Sequence, residues 1–95
     1  MKTEIWTTAE RLADKLIRQY LDEIARTSGQ EYADKSEVWY GRGWFYVKIA
    51  HRFHDGSMGT IGMANCYRRK AVEQMVVNLR KRPDYQAPAP AAVTD

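Results

Sequence analysis

Residues 38–53 read VWYGRGWFYVKIAHRF, and this stretch decides the fold. Residues 38–40 are a short run of strand-forming side chains, residues 41–43 are a Gly-Arg-Gly turn, and residues 44–53 alternate in character. A glycine-containing turn between two such runs favours a β-hairpin. The sequence therefore predicts two antiparallel strands, 38–40 and 44–53.

The longer strand has two different faces, because successive side chains of a strand point to opposite sides. One face is apolar and is expected to pack on helices; it carries Phe45, Val47, Ile49 and Phe53. The other is aromatic and cationic; it carries Trp44, Tyr46, Lys48, Ala50 and Arg52. Either Trp39 or Tyr40 extends this second face, depending on the register of the hairpin.

An amphipathic helix precedes the hairpin. Apolar residues at helical spacing predict it over residues 8–27. Thr7 and Glu10 have the spacing of a capping box, and Gly29 is a natural end. Residues 28–36 are then predicted to be a polar connector.

A third strand and a second helix follow the hairpin. The Asp-Gly pair at residues 55–56 predicts a tight turn into a strand at residues 58–64. Apolar spacing predicts a helix over residues 66–82, with Asn65 as its N-cap and Pro83 beyond its end.

The predicted order is therefore helix, three antiparallel strands, helix. A sheet with both helices on one face buries two apolar helix stripes and one apolar sheet face. We predict an α+β fold: a single two-layer α-β-β-β-α domain over residues 1–82, with a three-stranded antiparallel sheet. Residues 83–95 are rich in proline and alanine and predict a disordered tail.

Composition narrows the class of protein. A chain of 95 residues, 44% apolar, has room for one domain. No stretch approaches the ~20 apolar residues of a membrane span, and no secretory signal pattern follows Met1. Cys66 is the only cysteine, so no internal disulfide can form. A cytoplasmic protein that does not contact the membrane is the expectation.

Positive charge is concentrated in one segment. The net charge is +3, yet residues 66–82 hold six Lys and Arg against Glu73 alone, a net charge of +5. Such asymmetry favours an anionic partner, either nucleic acid or an acidic protein surface. A solvated basic helix end is the alternative.

Three of these cations, Arg68, Arg69 and Lys70, fall in the first helical turn if Asn65 is the cap. Cations there oppose the helix dipole, and together with free backbone amides they suit a phosphate. The alternatives are a helix that starts elsewhere or side chains splayed into solvent. The candidate nucleic-acid or partner-binding residues are Arg68, Arg69, Lys70, Trp44, Tyr46, Lys48, Arg52 and Arg42.

The aromatic sheet face has three interpretations. Trp44 and Tyr46 beside Lys48 and Arg52 suit stacked bases and phosphates. The two rings are otherwise ordinary cross-strand partners, half covered by a loop or the tail. Thirdly, Trp, Tyr and Arg are enriched in protein interfaces, so the face suits another protein or a second copy of this chain.

In outline, the element order is similar to that of the double-stranded-RNA-binding domain. Gly-Thr-Ile-Gly at residues 59–62 followed by Arg-Arg-Lys-Ala at residues 68–71 carries the resemblance. It implies that the basic helix start contacts RNA phosphates. The Gly-Pro-x-His loop of that family is replaced here by the turn at residues 41–43.

Catalytic and metal chemistry find little support. His51 and His54 are three apart on a strand, which places them on opposite faces, and with Cys66 they match no zinc spacing. Cys66 is expected to be buried and inert. We expect no enzyme activity, metal, cofactor or small-molecule substrate.

The first hypothesis is therefore a small nucleic-acid-binding accessory protein. The alternative is a small protein-binding adaptor or inhibitor, encoded by a phage or other mobile element, that acts through the Trp/Tyr-rich sheet face. A homodimer formed through the same face is a version of this alternative.

Overall fold

A computed structural model describes residues 6–87 of the chain. In chain order its elements are α1 (Thr8–Ser28), α2 (Gln30–Lys35), β1 (Glu37–Gly41), β2 (Trp44–Lys48), β3 (His51–Arg52), β4 (Met58–Gly59), β5 (Asn65–Tyr67) and α3 (Arg69–Arg80). Strands β1, β2 and β5 form a three-stranded antiparallel sheet in that order, and β3 pairs with β4 in a separate two-stranded sheet. The predicted α+β class is confirmed, with one small sheet added.

Helix α1 forms where the sequence predicts it. The Thr7 hydroxyl accepts from the Glu10 amide at 3.1 Å, and the Glu10 carboxylate accepts from the Thr7 amide at 2.8 Å, so the capping box is present. The helix ends at Gly29, whose φ of 114° lies in the region that favours glycine. Its buried stripe faces the core and consists chiefly of Ala13, Leu16, Tyr20 and Ile24.

The predicted polar connector at residues 28–36 is wrong for its central part, where α2 forms. Ala33 of this short helix is buried, and Tyr32 packs against the core. Two apolar side chains in six residues are too few to show a helical period. Burial of these side chains against α1, rather than local propensity, accounts for the helix.

The register of the main sheet fixes which side chains face the helices. Val38 lies across from Val47, and Tyr40 lies across from Phe45. Phe45 also lies across from Tyr67 on β5 and is 1% exposed. These side chains join the core that α1 and α3 supply. Both long helices therefore pack on one face of the sheet, as predicted.

The long strand predicted at residues 44–53 is wrong, because β2 ends at Lys48. The amide of buried Ala50 donates to the Ser36 hydroxyl at 2.9 Å and so leaves the sheet ladder. Ile49, predicted to face the helices, is 42% exposed. Alternation in the sequence continues through this break, which is why the pattern alone does not reveal it.

The small sheet is the hairpin that the Asp-Gly pair predicts. The Ser57 amide donates to Asp55 Oδ1 at 2.9 Å, and the Phe53 amide donates to the Ser57 carbonyl at 2.9 Å. Phe53 therefore lies in this hairpin and not on the apolar face of the main sheet, where it was predicted. A Cβ on Gly59 would lie 3.2 Å from the Phe53 ring, so glycine allows this close approach.

The third strand and the start of the last helix are both displaced from their predicted positions. Residues 58–64 contribute β4 to the small hairpin, and β5 is the third strand of the main sheet. Helix α3 begins at Arg69 with Arg68 as its N-cap, so Asn65 is not the cap. Tyr67 accounts for the difference, because it packs against the core from a strand position across from Phe45.

The chain beyond α3 returns to α1. Within the tail predicted at residues 83–95, the Gln86 amide donates to the Arg26 carbonyl at 2.9 Å. Interaction with the Glu23 carboxylate raises the pKa of Tyr85 above its ordinary value. Residues 88–95 of the predicted tail lie outside the described residues. No helix between residues 6 and 87 combines the length and apolar character needed to cross a bilayer.

Candidate nucleic-acid interface

The face of the main sheet that points away from the helices, called here the outer face, has aromatic side chains at its centre. Trp39 lies across from Tyr46 in register, and their rings stack with centroids 5.4 Å apart and planes 9° apart. Tyr40 points to the core, where its ring meets Phe45 at a centroid distance of 4.9 Å. Of the two residues that the sequence left open, Trp39 therefore extends the face.

Arg68 is built into this outer face. Its Cζ lies 3.8 Å from the centroid of the Trp44 ring, and its Nη1 donates to the Gly43 carbonyl at 3.0 Å. The register explains the contact, because Tyr67 lies across from Phe45 and the next residues, Arg68 and Trp44, become neighbours. A guanidinium has five N–H donors, so this one hydrogen bond leaves donors for a phosphate.

Arg42 occupies the tip of the β1–β2 hairpin. Its φ is 55° and that of Gly43 is 84°, and positive φ at both central residues is typical of a type I′ turn. A residue with a side chain pays roughly 1–2 kcal/mol in this left-handed region. Within residues 6–87, Arg42 is the only non-glycine residue with positive φ. The turn thus holds an exposed arginine in a strained conformation.

The start of α3 adds two more cations, Arg69 and Lys70. Its first turn contains no acidic residue, and no side chain caps it. Because Arg68 bonds to Gly43, the start of α3 lies beside the hairpin tip. The hairpin tip and the start of α3 therefore meet at one end of the sheet, and we call the cations of these two segments the cationic end: Arg42, Arg68, Arg69 and Lys70.

The cationic end lacks carboxylate partners among the residues that the structure describes. Five ion pairs occur between residues 6 and 87, and each uses an arginine elsewhere on the chain: Arg18–Asp14, Arg26–Asp22, Arg52–Glu31, Arg80–Glu23 and Arg82–Asp84. The charge of the cationic end is therefore available to an external anion.

Lys48 and Arg52 lie away from the cationic end. Lys48 shares the outer face with Trp44 but lies at the other end of β2, across from Glu37. Arg52 belongs to the small sheet, where it donates to Glu31 Oε1 at 2.7 Å. That hydrogen bond raises the pKa of Arg52 above its ordinary value. The expectation that Arg52 lies beside the aromatic rings is wrong, because the strand that would place it there ends at Lys48.

Cys66, which was predicted to be buried, is exposed on the outer face across from Tyr46. His51 meets the Phe53 ring edge-on, with centroids 5.2 Å apart, in the small sheet. Between residues 6 and 87, no group of three or more His, Cys, Asp or Glu could hold a metal ion.

A groove of about 280 Å³ between α1 and β1 was not foreseen from the sequence. Its lining includes Trp6, Glu10 and Asp14 on the α1 side and Trp39 on the β1 side. The groove depends on how α1 sits against the edge of the sheet, which no local pattern encodes. The only hint of the groove in the sequence is Trp6, a large aromatic residue immediately before the helix cap.

No protein-family model, curated protein or solved structure matches the chain. The resemblance to the double-stranded-RNA-binding domain thus concerns element order, to which this chain adds the β3–β4 hairpin between the second and third strands of the main sheet. The geometry of the site itself is therefore the basis for inferring function.

Proposed function

We propose that this chain is a small cytoplasmic nucleic-acid-binding accessory protein. The cationic end holds phosphates, and the aromatic rings of the outer face contact bases or sugars beside it. One observation carries the proposal. Four cations are gathered without a carboxylate partner among the described residues, whereas five of the six other arginines of residues 6–87 are paired, Arg11 being the exception.

Counterion release predicts how steeply the binding affinity should fall as the salt concentration rises. Each neutralised phosphate contributes a slope of about −0.9 to log affinity against log salt on B-DNA and about −0.7 on a single strand. Four contacts therefore predict slopes of about −3.6 and −2.8. A fourfold rise in salt should then weaken binding about 150-fold on duplex DNA and about 50-fold on a single strand.

The test is a titration of labelled duplex RNA, duplex DNA and single-stranded RNA over a range of salt concentrations. The informative variant is R42A/R69A/K70A, which leaves Arg68 in place because Arg68 anchors α3 to the hairpin. Its matched control is R11A/K15A/K81A, which removes the same charge from exposed cations outside the candidate surface.

We expect the informative variant to bind weakly, with a salt slope reduced by two or more, while the control stays close to the wild-type protein. Equal losses in both variants would show that only net charge matters. If no polyanion binds the wild-type protein at low salt, the proposed function is wrong.

A protein-binding adaptor or inhibitor is the second candidate, and the exposure of Trp39 favours it. This residue is 43% exposed on an edge strand beside the groove. Trp39→Ala should then abolish partner binding that depends little on salt. Light scattering tests the homodimer version: a mass twice the 11.0 kDa of one chain, reduced to 11.0 kDa by the same variant, would support it.

A further inference from the structure

We propose, on the basis of the nucleic-acid function above, that the ligand is a single strand with one unpaired base in the groove along β1. The base stacks on the open face of Trp39, and its amino group donates a hydrogen bond to the carboxylate of Glu10 or Asp14. The neighbouring phosphates reach the cationic end.

The Trp39 ring is prepared for stacking. Tyr46 covers one of its faces from β2, with the two planes 9° apart. Strand β1 is the edge of the sheet, so no further strand covers the opposite face. Trp39 also lines the groove, so we place the base against that opposite face. A base placed there would continue the stack of Tyr46 and Trp39, and the fixed ring would lose little entropy on binding.

The groove lies along the open edge of the sheet. Three consecutive residues of β1, residues 38–40, line it, and consecutive strand residues point to opposite faces. The groove therefore follows the backbone edge of the strand, with α1 as the opposite wall. A duplex cannot deliver a base into this space, because its bases are already paired and stacked on one another.

The wall opposite Trp39 offers hydrogen-bond acceptors. Glu10 Oε1 accepts from the Thr7 amide, and Asp14 Oδ2 accepts from Arg18. The second oxygen of each carboxylate has no hydrogen bond within residues 6–87. A carboxylate accepts from the amino group of cytosine, whereas uracil presents a carbonyl oxygen there, which a carboxylate repels. The groove should therefore prefer cytosine to uracil.

The same carboxylates fix where the phosphates go. They repel a phosphate from the α1 side of the groove, while the cationic end attracts it. Trp39 lies three residues from Arg42, which is about 10 Å along an extended strand. A nucleotide in the groove and its neighbour can therefore contact Trp39 and the hairpin tip together.

The experiment compares four labelled probes at one salt concentration: oligocytidine, oligouridine, an abasic strand with the same number of phosphates, and duplex RNA. Oligocytidine should bind about 5- to 150-fold more tightly than the abasic strand, which is the range for one stacked base. It should also bind more tightly than oligouridine and the duplex. Quenching of tryptophan fluorescence by oligocytidine, but not by the abasic strand, should accompany binding.

The variants separate stacking from hydrogen bonding. Trp39→Ala should reduce oligocytidine binding to the level of the abasic strand, and Trp39→Phe should restore most of the difference. Asp14→Ala in an E10Q background should remove the preference for cytosine over uracil. Asp22→Ala, which breaks a similar pair on the same helix, should leave the preference intact. Gln retains the cap at position 10.

The outcomes also separate this proposal from the proposed function. Abasic and oligocytidine strands that bind equally, with strong salt dependence, would leave the nucleic-acid function in place and overturn the base in the groove. Tighter binding of the duplex, or equal binding of cytidine and uridine strands, would also overturn it. Failure of every probe at low salt would remove the nucleic-acid function itself. Unfolding curves establish that each variant is folded. The quenching of tryptophan fluorescence is measured on the wild-type protein, so that test does not depend on the folding of any variant.

Discussion

Replacing Arg42 with asparagine should make the protein more stable and a weaker binder of nucleic acid. Arg42 has a φ of 55° in a type I′ turn, with Gly43 beside it. Asn-Gly is a preferred pair for this turn, because asparagine tolerates the left-handed region. The same substitution removes one of the four cations of the cationic end, so the two effects have opposite signs.

Backbone strain sets the size of the stability effect. The left-handed region costs an ordinary residue roughly 1–2 kcal/mol, of which asparagine should recover about 1 kcal/mol. For a domain of this size, that corresponds to a rise in Tm of roughly 4–8 °C. Loss of one phosphate contact should reduce the salt slope by about 0.9 on B-DNA and about 0.7 on a single strand.

Thermal unfolding followed by circular dichroism measures the first effect, and anisotropy titrations over a salt range measure the second. Arg42→Lys is the matched control, because lysine keeps both the charge and the strained backbone. Its Tm and salt slope should stay close to those of the wild-type protein. Arg42→Gly should also relieve the strain, but it gains less, since glycine has more freedom in the unfolded chain.

Two results would refute this reasoning in different ways. A Tm of R42N below that of the wild-type protein would show that the arginine side chain stabilises the turn by more than its backbone conformation costs. A raised Tm with an unchanged salt slope would leave the turn as described but remove Arg42 from the interface.

Arg68→Lys keeps the charge but loses the planar group 3.8 Å from the centroid of the Trp44 ring. It should lower the free energy of unfolding, measured in urea, by about 1 kcal/mol and leave the salt slope of binding unchanged. Burial raises the pKa of Tyr20 from 10.0 to about 12, so the folded state holds this proton more tightly than the unfolded chain. The contribution of this proton to the free energy of unfolding is complete below pH 10 and is lost between pH 10 and about 12. Y20F should therefore lose less stability than the wild-type protein in unfolding curves measured over that pH range. Arg80→Ala leaves the buried Glu23 carboxylate without its partner at 2.7 Å and should lower the free energy of unfolding by about 2 kcal/mol. An unchanged urea midpoint would show that water replaces the arginine.

Much of the fold was predictable where the signal is local. Helix α1 is long enough to show several turns of apolar spacing, and its capping box needs only Thr7 and Glu10. The turns at residues 41–43 and 54–57 depend on glycine and Asp-Gly chemistry. Helix α2 and strand β5 were misread because they are too short to show a period, and their burial against distant residues decides them. Tyr67 is the clearest case, since its place across from Phe45 turns a predicted helix start into β5.

The candidate site was predictable in its residues but not in its arrangement. The basic segment and the aromatic face are visible as composition. Their junction is not, because Arg68 reaches Trp44 and Gly43 only after β2 and β5 have paired. The break after Lys48 likewise removes Arg52 from the face, through a hydrogen bond between Ala50 and Ser36. Contacts of this kind join residues far apart in sequence, so alternation along one strand cannot encode them.

Two basic clusters that look alike in sequence end in different surroundings, and this contrast bears most directly on function. Arg-Arg-Lys at residues 68–70 and Arg-Lys-Arg at residues 80–82 carry the same charge. In the second cluster the two arginines bind Glu23 and Asp84, as in an ordinary solvated helix end. In the first, Arg68 is held by a ring and a carbonyl oxygen, neither of which neutralises it. A carboxylate there would lower the repulsion among the cations and would compete with phosphate for them. Because the described fold supplies no carboxylate there, an external polyanion gains the full attraction of the cationic end. A solvated helix end therefore explains the cluster at residues 80–82 better than the cluster at residues 68–70.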